Sequence, residues 1–582
     1  MWGGSSLQRI MCAAVLAIFM GAVGGIGRTS AETGDDLWWV FFTDRGEIDT
    51  SRAVAAKKTS SSYPKVLSRR ARVLGADRII DERDLPVNPA YIDAVAKHSG
   101  GIKTVTRWFN GVTAVLDESG RKAVGALPFV REVRRVAVAT YRYDPDATGE
   151  SPARGAGRAA VLSYGDSYDQ LSLIAVPPVH QLGFLGAGIR IAVFDSGFNR
   201  LQHTAFDSMY VEEKWDFVDG DDDITGDDHG TQVLSVISAL HKGNMIGAAP
   251  YSIYMLARTE IVDNGLDHRF EEQNWIAAAE WADSLGVDVI NSSLGYIDFS
   301  DSTAYTHEDL DGDTALTTIA ADIAASKGIV VVTSAGNEGD KPWKHPWVLV
   351  STPADADSVI SVGSVDRYGV VSGFSSRGPT YDGRVKPEVM ALGEYVLVAD
   401  TEVQDGYTYK SGTSLAAPAV SGAAALLLEA NEDWTAWDVR EVFILTAKDR
   451  GIAGPDSLYG YGIADTMKAS GLTPSASDET SFTVYDPYPQ PIVFNSTTPH
   501  LYFPMYIPDK GATLLLRIFT FNGESVKMLD YTIPGSGVLV YDDVPKWDGT
   551  NEQGEDVAPG VYFYTARLMG YGTHTGKILV MR

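Results

Sequence analysis

The chain has 582 residues, 45% of them hydrophobic, and a formal net charge of −28 at pH 7. At roughly 150 residues per domain, that length predicts three or four units with ordinary cores. The acidic excess excludes a nucleic-acid binder, which needs a basic surface to meet phosphates.

The N-terminus reads as an export signal over residues 1–31. Arg9 precedes the apolar stretch IMCAAVLAIFMGAVGGIG, and the small residues of TSA offer a cleavage point near Ala31. The run is broken by glycines and is short for a membrane span of about 20 apolar residues. No transmembrane segment is expected after it. The only cysteine, Cys12, lies inside this signal, so the exported chain is expected to carry no disulfide.

Residues 36–146 read as a small α+β domain. LWWVFF is strand-like, and NPAYIDAVAKHS has helical spacing after an Asn-Pro start. KTVTRWFNGVTAVLD reads as two strands joined at Asn110-Gly111, a hairpin signal. ALPFVREVRRVAV ends in a further strand. Residues 44–158 carry 21 Lys+Arg against 14 Asp+Glu, a net of +7, which leaves −34 on residues 159–582. Modules of opposite charge attract each other. YDPDATGESPARGAGRAA, rich in Gly, Pro and Ala, marks an exposed linker over 147–164.

From 165 to 470 the pattern becomes α/β. IRIAVFD, VDVINSSLG, IVVVTSAG and SVISVGSV are apolar runs ending in small or polar residues, with QNWIAAAEWADSLG and TALTTIAADIAASKG as helices between them. Buried parallel strands alternating with helices predict a parallel sheet covered on both faces, with functional groups at the carboxyl ends of its strands. After a second linker at 471–484, residues 485–582 alternate as a β-sandwich does, with Phe519, Trp547 and Tyr562 as candidate core aromatics.

Four residues stand where such a sheet places its chemistry. Asp195 ends IRIAVFD, His229 opens a helical stretch in DDHGTQV, Asn337 follows the strand in VVTSAGNEG, and Ser414 opens SLAAPAVSGAAALLLEA. Each has an ordinary structural use: a strand-end turn, a core histidine, a turn asparagine, a serine among small residues that let a helix pack closely. Together they supply a nucleophile, a base, a carboxylate to orient the base and an oxyanion donor, the parts needed for acyl transfer.

At these residues the chain resembles the subtilisin-like serine proteases, the subtilases of peptidase family S8. DSG at 195–197, HGT at 229–231 and GTSLAAP at 412–418 match that family's signatures in its chain order, with Leu415 in place of the more usual Met. SAGNEG matches the segment that carries the oxyanion asparagine. NSSLG resembles the strand that pairs with substrate, which implies Ser293, Leu294 and Gly295 as substrate-binding residues, with Tyr296 bordering the pocket before the cleaved bond. The resemblance implies a secreted or cell-surface endopeptidase acting on proteins or peptides, with no cofactor required for catalysis. It implies that the N-terminal domain is an intramolecular inhibitor removed by self-cleavage. The C-terminal region resembles FlgD-like or type IX secretion sorting modules, YPQP standing for the usual Tyr-Pro-Asn-Pro with Gln490 as the departure. Subtilases often bind structural calcium, for which Asp219, Asp221 and Asp223 in one acidic loop and Asp309, Asp311 and Asp313 in another are the candidates. Two other readings compete. An inactive peptide-binding pseudoprotease is disfavoured by the complete tetrad, and an esterase or lipase by the absence of a G-x-S-x-G elbow.

Overall fold

LWWVFF becomes β1 (Leu37–Phe42), the strand that ties the N-terminal domain together. After it come helices α1 (Tyr63–Leu74) and α2 (Pro89–Ala96), strands β2 (Gly101–Thr106) and β3 (Gly111–Val115), helix α3 (Glu118–Gly125) and strand β4 (Val130–Arg135). The strands form one sheet in the order β2-β3-β1-β4. Asn110 takes a φ of 49° at the expected hairpin, and Asn88 caps α2 by accepting from the Ala90 N–H at 2.9 Å. The structure is a computed structural model that describes residues 37–48, 62–74, 79–136, 163–261, 270–298, 304–341 and 350–472, and most of 483–580 in short pieces. The export signal, the linker up to residue 162, most of the linker at 471–484 and the YPQP segment lie outside the described residues.

The central domain is a parallel sheet of seven strands. In chain order its elements are β5 (Arg190–Asp195), β6 (Tyr210–Asp216), α4 (His229–Ser238), β7 (Ile253–Arg258), α5 (Phe270–Leu285), β8 (Val289–Ser292), α6 (Leu316–Ser326), β9 (Val330–Ser334), β10 (Ile360–Val365), β11 (Val389–Leu392) and α7 (Thr413–Ala430). The strand order is β11-β10-β9-β8-β5-β7-β6. The inner strands are mostly apolar because both faces are covered, whereas the edge strand β6 is largely polar and exposed. In β5, Ile191 and Val193 point into the core under α4 and α7, while Ala192 and Phe194 point into the core under α5 and α6. Among the described residues α7 is the one helix long and apolar enough to cross a membrane, and it is buried in the first of these cores.

The N-terminal domain is docked on α5 and α6. Alternation along β1 sends Val40 and Phe42 into that domain's own core, and Trp39 and Phe41 into the central domain's second core, where Trp108 joins them. Polar contacts frame this apolar contact. The Glu280 carboxylate on α5 accepts from the backbone N–H groups of Arg107 and Trp108, each at 3.1 Å, and from the Thr106 hydroxyl. Arg69 and Arg70 of α1 both pair with Asp283, Arg70 also bonds Asp84 at 2.7 Å, and Lys327 reaches Asp81 at 3.2 Å. All but Asp81 are almost completely buried.

Residues beyond 500 build a separate antiparallel core. β12 (Thr513–Thr520), β13 (Ser525–Thr532), β14 (Gly560–Leu568) and β15 (Gly572–Val580) form a sheet in the order β13-β12-β14-β15. Trp547 and Tyr562 lie in its core as expected. Phe519 does not: Leu514, Leu516 and Ile518 take the inward positions of β12, so the period of two turns Phe519 to the other face. An ion pair, Lys577 to Asp449 at 2.7 Å, links this region to the central domain.

Candidate active site

β5 and β7 are neighbours in register, and beyond their ends the Thr259 N–H donates to the Asp195 carbonyl at 2.9 Å. Asp195 is completely buried. Its Oδ1 accepts from the Ser196 N–H at 2.9 Å and from His229 Nδ1 at 2.7 Å. His229 is the first residue of α4, and its own N–H is held by Asp227 at 2.9 Å. The glycine that follows is required by closeness: a Cβ on Gly230 would lie 2.3 Å from the Gly197 carbonyl and 2.9 Å from the Asp195 Cβ.

The other face of the ring meets Ser414, with Nε2 to Oγ at 3.0 Å. Because Nδ1–H is given to the carboxylate, Nε2 is left to accept from the hydroxyl. Burial works against the protonated ring, but the Asp195 carboxylate outweighs it, with Asp227 and Glu260 adding, so His229 holds its proton above the ordinary imidazole value.

The local sequence explains how Ser414 is presented. Gly412 precedes α7 in extended backbone, and a Cβ there would come within 2.9 Å of Ser414 Oγ and 3.7 Å of Asn337 Nδ2. Both groups therefore lie on the side of Gly412 where another residue would carry its side chain. Pro418 has no N–H to give to the Ser414 carbonyl one turn back. That carbonyl instead accepts from the Ser293 hydroxyl at 2.7 Å. The small residues let α7 run close to its neighbours, and a Cβ on Gly422 would lie 2.4 Å from the Ala248 Cβ.

Asn337 is fixed by its carbonyl. Oδ1 accepts from both the N–H and the hydroxyl of Thr413, each at 3.0 Å. This orients the amide nitrogen toward the Ser414 side. The first turn of α7 presents further N–H groups and the positive end of the helix dipole at the same place.

Ser293, Leu294 and Gly295 follow directly after β8. The Ser293 hydroxyl is committed to the Ser414 carbonyl, and Asn291 donates to it at 3.1 Å. Leu294 is buried. Gly295 tolerates no side chain, since a Cβ would sit 2.1 Å from Ser351 Oγ. Tyr296 turns inward and is 1% exposed.

Most of the candidate calcium ligands in the two acidic loops have local partners. Asp219 pairs with Arg258 at 2.9 Å. Asp221 and Asp223 cap the turn, accepting from the N–H groups of Asp223 and Thr225 at 2.9 and 3.1 Å. Asp309 closes a capping box with Thr306, and Asp311 accepts from the N–H groups of Asp313 and Thr314, both at 2.9 Å. Alternating carboxylates serve successive turns here. Among the described residues no group of three or more His, Cys, Asp or Glu is arranged to hold a metal ion.

One neighbour of the site escaped sequence reasoning. Glu260 is buried beside the Asp195–His229 pair and next to Tyr296, and it belongs to no short motif. The only signal for Glu260 was its place just past the end of an apolar strand.

The fold and site define the class: a parallel α/β domain with a Ser–His–Asp array at the carboxyl ends of its strands, preceded by a docked α+β domain. The chain belongs to the subtilase family. Residues 186–462 match the subtilase (Peptidase S8) family, and residues 37–150 match the Bacteroidota Peptidase S8 propeptide domain. Subtilisin E of Bacillus subtilis is 30% identical over 383 residues, covering 65% of this chain and 85% of that protein. Subtilisin DY of Bacillus licheniformis is 34% identical over 316 residues, covering 54% of this chain and all of that protein. The membrane-bound transcription factor site-1 protease of Rattus norvegicus is 30% identical over 334 residues, covering 54% of this chain but 29% of that protein.

Proposed function

We propose that this subtilase is an exported serine endopeptidase, made as a self-processing zymogen and acting through an acyl-enzyme. The observation that carries the reading is the continuous chain of contacts from Asp195 through His229 to Ser414 Oγ, at 2.7 and 3.0 Å. In this reading Ser414 attacks the scissile carbonyl while His229 takes its proton and later gives it to the leaving amine. Asp195 holds the ring in the useful tautomer and stabilises the imidazolium. The Asn337 amide and the Ser414 N–H receive the charge that develops on the carbonyl oxygen. No metal takes part in these steps. Ser293, Leu294 and Gly295 line the substrate strand through their backbone groups. Hydrolysis of casein by the processed protein, blocked by a serine-directed inhibitor, tests the reading. A folded, processed protein without hydrolysis would favour a peptide-binding pseudoprotease.

The propeptide domain acts in the same reading as inhibitor and folding partner, cut from the enzyme between about Ala147 and Tyr168. Its grip rests on the buried contacts of β1 and α1 as much as on net charge. Removing one partner of a buried ion pair costs about 3–5 kcal/mol. Asp283→Ala, which leaves Arg69 and Arg70 without their shared carboxylate, is therefore expected to weaken inhibition by added propeptide domain about 100-fold or more. An inhibition constant equal to that of the wild type would remove α1 from the account.

The C-terminal region contributes location or partner contact. It has its own core, and the described link to the central domain is one exposed ion pair. A chain ending near Ser475 is expected to fold and to cleave peptides at close to the full-length rate, while losing its destination in the native host. A truncated protein that aggregates, or one still delivered normally, contradicts this.

A further inference from the structure

Glu260 lies two residues beyond β7, next to the residue whose N–H holds the Asp195 carbonyl at 2.9 Å. It is 8% exposed. One of its carboxyl oxygens is buried with no hydrogen-bond partner, and so are Asp195 Oδ2 and the Tyr296 hydroxyl. The Tyr296 hydroxyl faces the Glu260 carboxyl and favours its ionised form. Three buried polar oxygens crowded beside the Asp195–His229 pair are an expensive arrangement for a fold that needed only packing there.

Among the described residues, the charged groups that act on Glu260 and Tyr296 are acidic apart from His229. Asp195 comes from the end of β5, His229 from the start of α4 and Asp227 from the loop before it. Glu271 and Glu272, at the start of α5, lie toward Tyr296, and each is engaged: Glu271 accepts from the Ile261 N–H at 2.9 Å and Glu272 from the Tyr305 hydroxyl at 2.8 Å. Among the described residues whose charge acts on Glu260, His229 is the one that can carry positive charge. Arg258, two residues before Glu260, is occupied by Asp216 and Asp219 at 2.6 and 2.9 Å.

We propose that Glu260 is a positioning residue for the reaction: its carboxyl, placed beside Tyr296 and the Asp195–His229 pair, adds negative charge that stabilises the protonated ring of His229 and so sets the pH at which the ring becomes a base. The inference rests on reading Asp195, His229 and Ser414 as the catalytic array. The Glu260 carboxyl and the His229 ring each act on the other's charge, so their titrations are linked. Burial pushes Glu260 up to about 8, with the Asp195 charge adding, against the Tyr296 hydroxyl and the His229 cation, which pull it down. His229 is likewise held above its ordinary value, in part by the Glu260 charge. Each ionised Glu260 makes the ring harder to deprotonate at rest and easier to protonate when Ser414 attacks.

The test is kcat and kcat/KM against pH for a chromogenic peptide, using the full chain after its own processing. In Glu260→Gln the acid limb of kcat/KM is expected to move down by about one pH unit and to become a single-proton step, with KM within about twofold. Tyr296→Phe removes only the hydroxyl that favours the ionised carboxyl, so its limb moves the same way by less. A limb that stays in place or moves up in both variants overturns the proposal. If Glu260→Gln yields no folded enzyme, Tyr296→Phe decides alone, and an unmoved limb there overturns it. An inactive wild type, or an active Ser414→Ala, would instead contradict the catalytic array itself.

Discussion

Ser414→Ala is expected to accumulate as precursor with its propeptide domain attached, and to lose about 10⁶-fold in turnover. That figure comes from subtilisin, so it is family knowledge carried to this chain. The structural ground is specific. Ser414 Oγ lies within hydrogen-bond reach of His229 Nε2, at 3.0 Å. Removing it leaves His229 and Asp195 in place with nothing to activate. The fold should survive, because the Ser414 backbone carbonyl keeps its bond from Ser293 at 2.7 Å. Adding a small amount of active enzyme should then cut the precursor between about Ala147 and Tyr168. Normal processing of purified Ser414→Ala, with nothing added, would show that another protease matures the chain.

Asn337→Ala is expected to lower kcat by about 10² to 10³ with KM little changed, a scale again set by subtilisin. The amide acts on charge that exists only in the transition state, so ground-state binding is spared. The structure adds a second duty. Asn337 Oδ1 accepts from the Thr413 N–H and hydroxyl at 3.0 Å each, at the start of the helix that carries Ser414. Melting temperature and kinetics therefore have to be read together. A kcat loss far larger than the stability change accounts for supports the oxyanion role. Wild-type turnover would place the oxyanion stabilisation elsewhere.

The candidate catalytic residues were legible because the residues brought together here lie in short runs. Gly412, Pro418 and Gly422 each leave a mark in the sequence for a reason visible in the fold: a side chain kept away from Ser414, a carbonyl released to Ser293, a close helix contact. The parallel sheet was legible because strands covered on both faces are apolar without alternation. Other features depend on groups distant in sequence. Helix α1 is basic, and its place is fixed by Asp283, more than 200 residues on. The charge asymmetry between the first domain and the rest gave the sign of that attraction but not its burial. The loops around Asp221 and Asp311 concentrate carboxylates as a calcium site does, and several of these carboxylates also cap their own turns. Phe519 was misplaced by one residue of register, which in a strand is a change of face. Glu260 has no motif, because it acts through space on a pair of residues assembled from two other elements.

The central claim is that Ser414 is a nucleophile activated by His229. Covalent labelling tests it most directly. The processed wild-type protein is treated with a sulfonyl fluoride, residual activity is followed, and the modified residue is mapped by mass spectrometry. The account predicts one label per chain, on Ser414, with activity lost in proportion to labelling and with no label in a His229→Ala variant. A label on another residue, or full activity in protein labelled at Ser414, would contradict it.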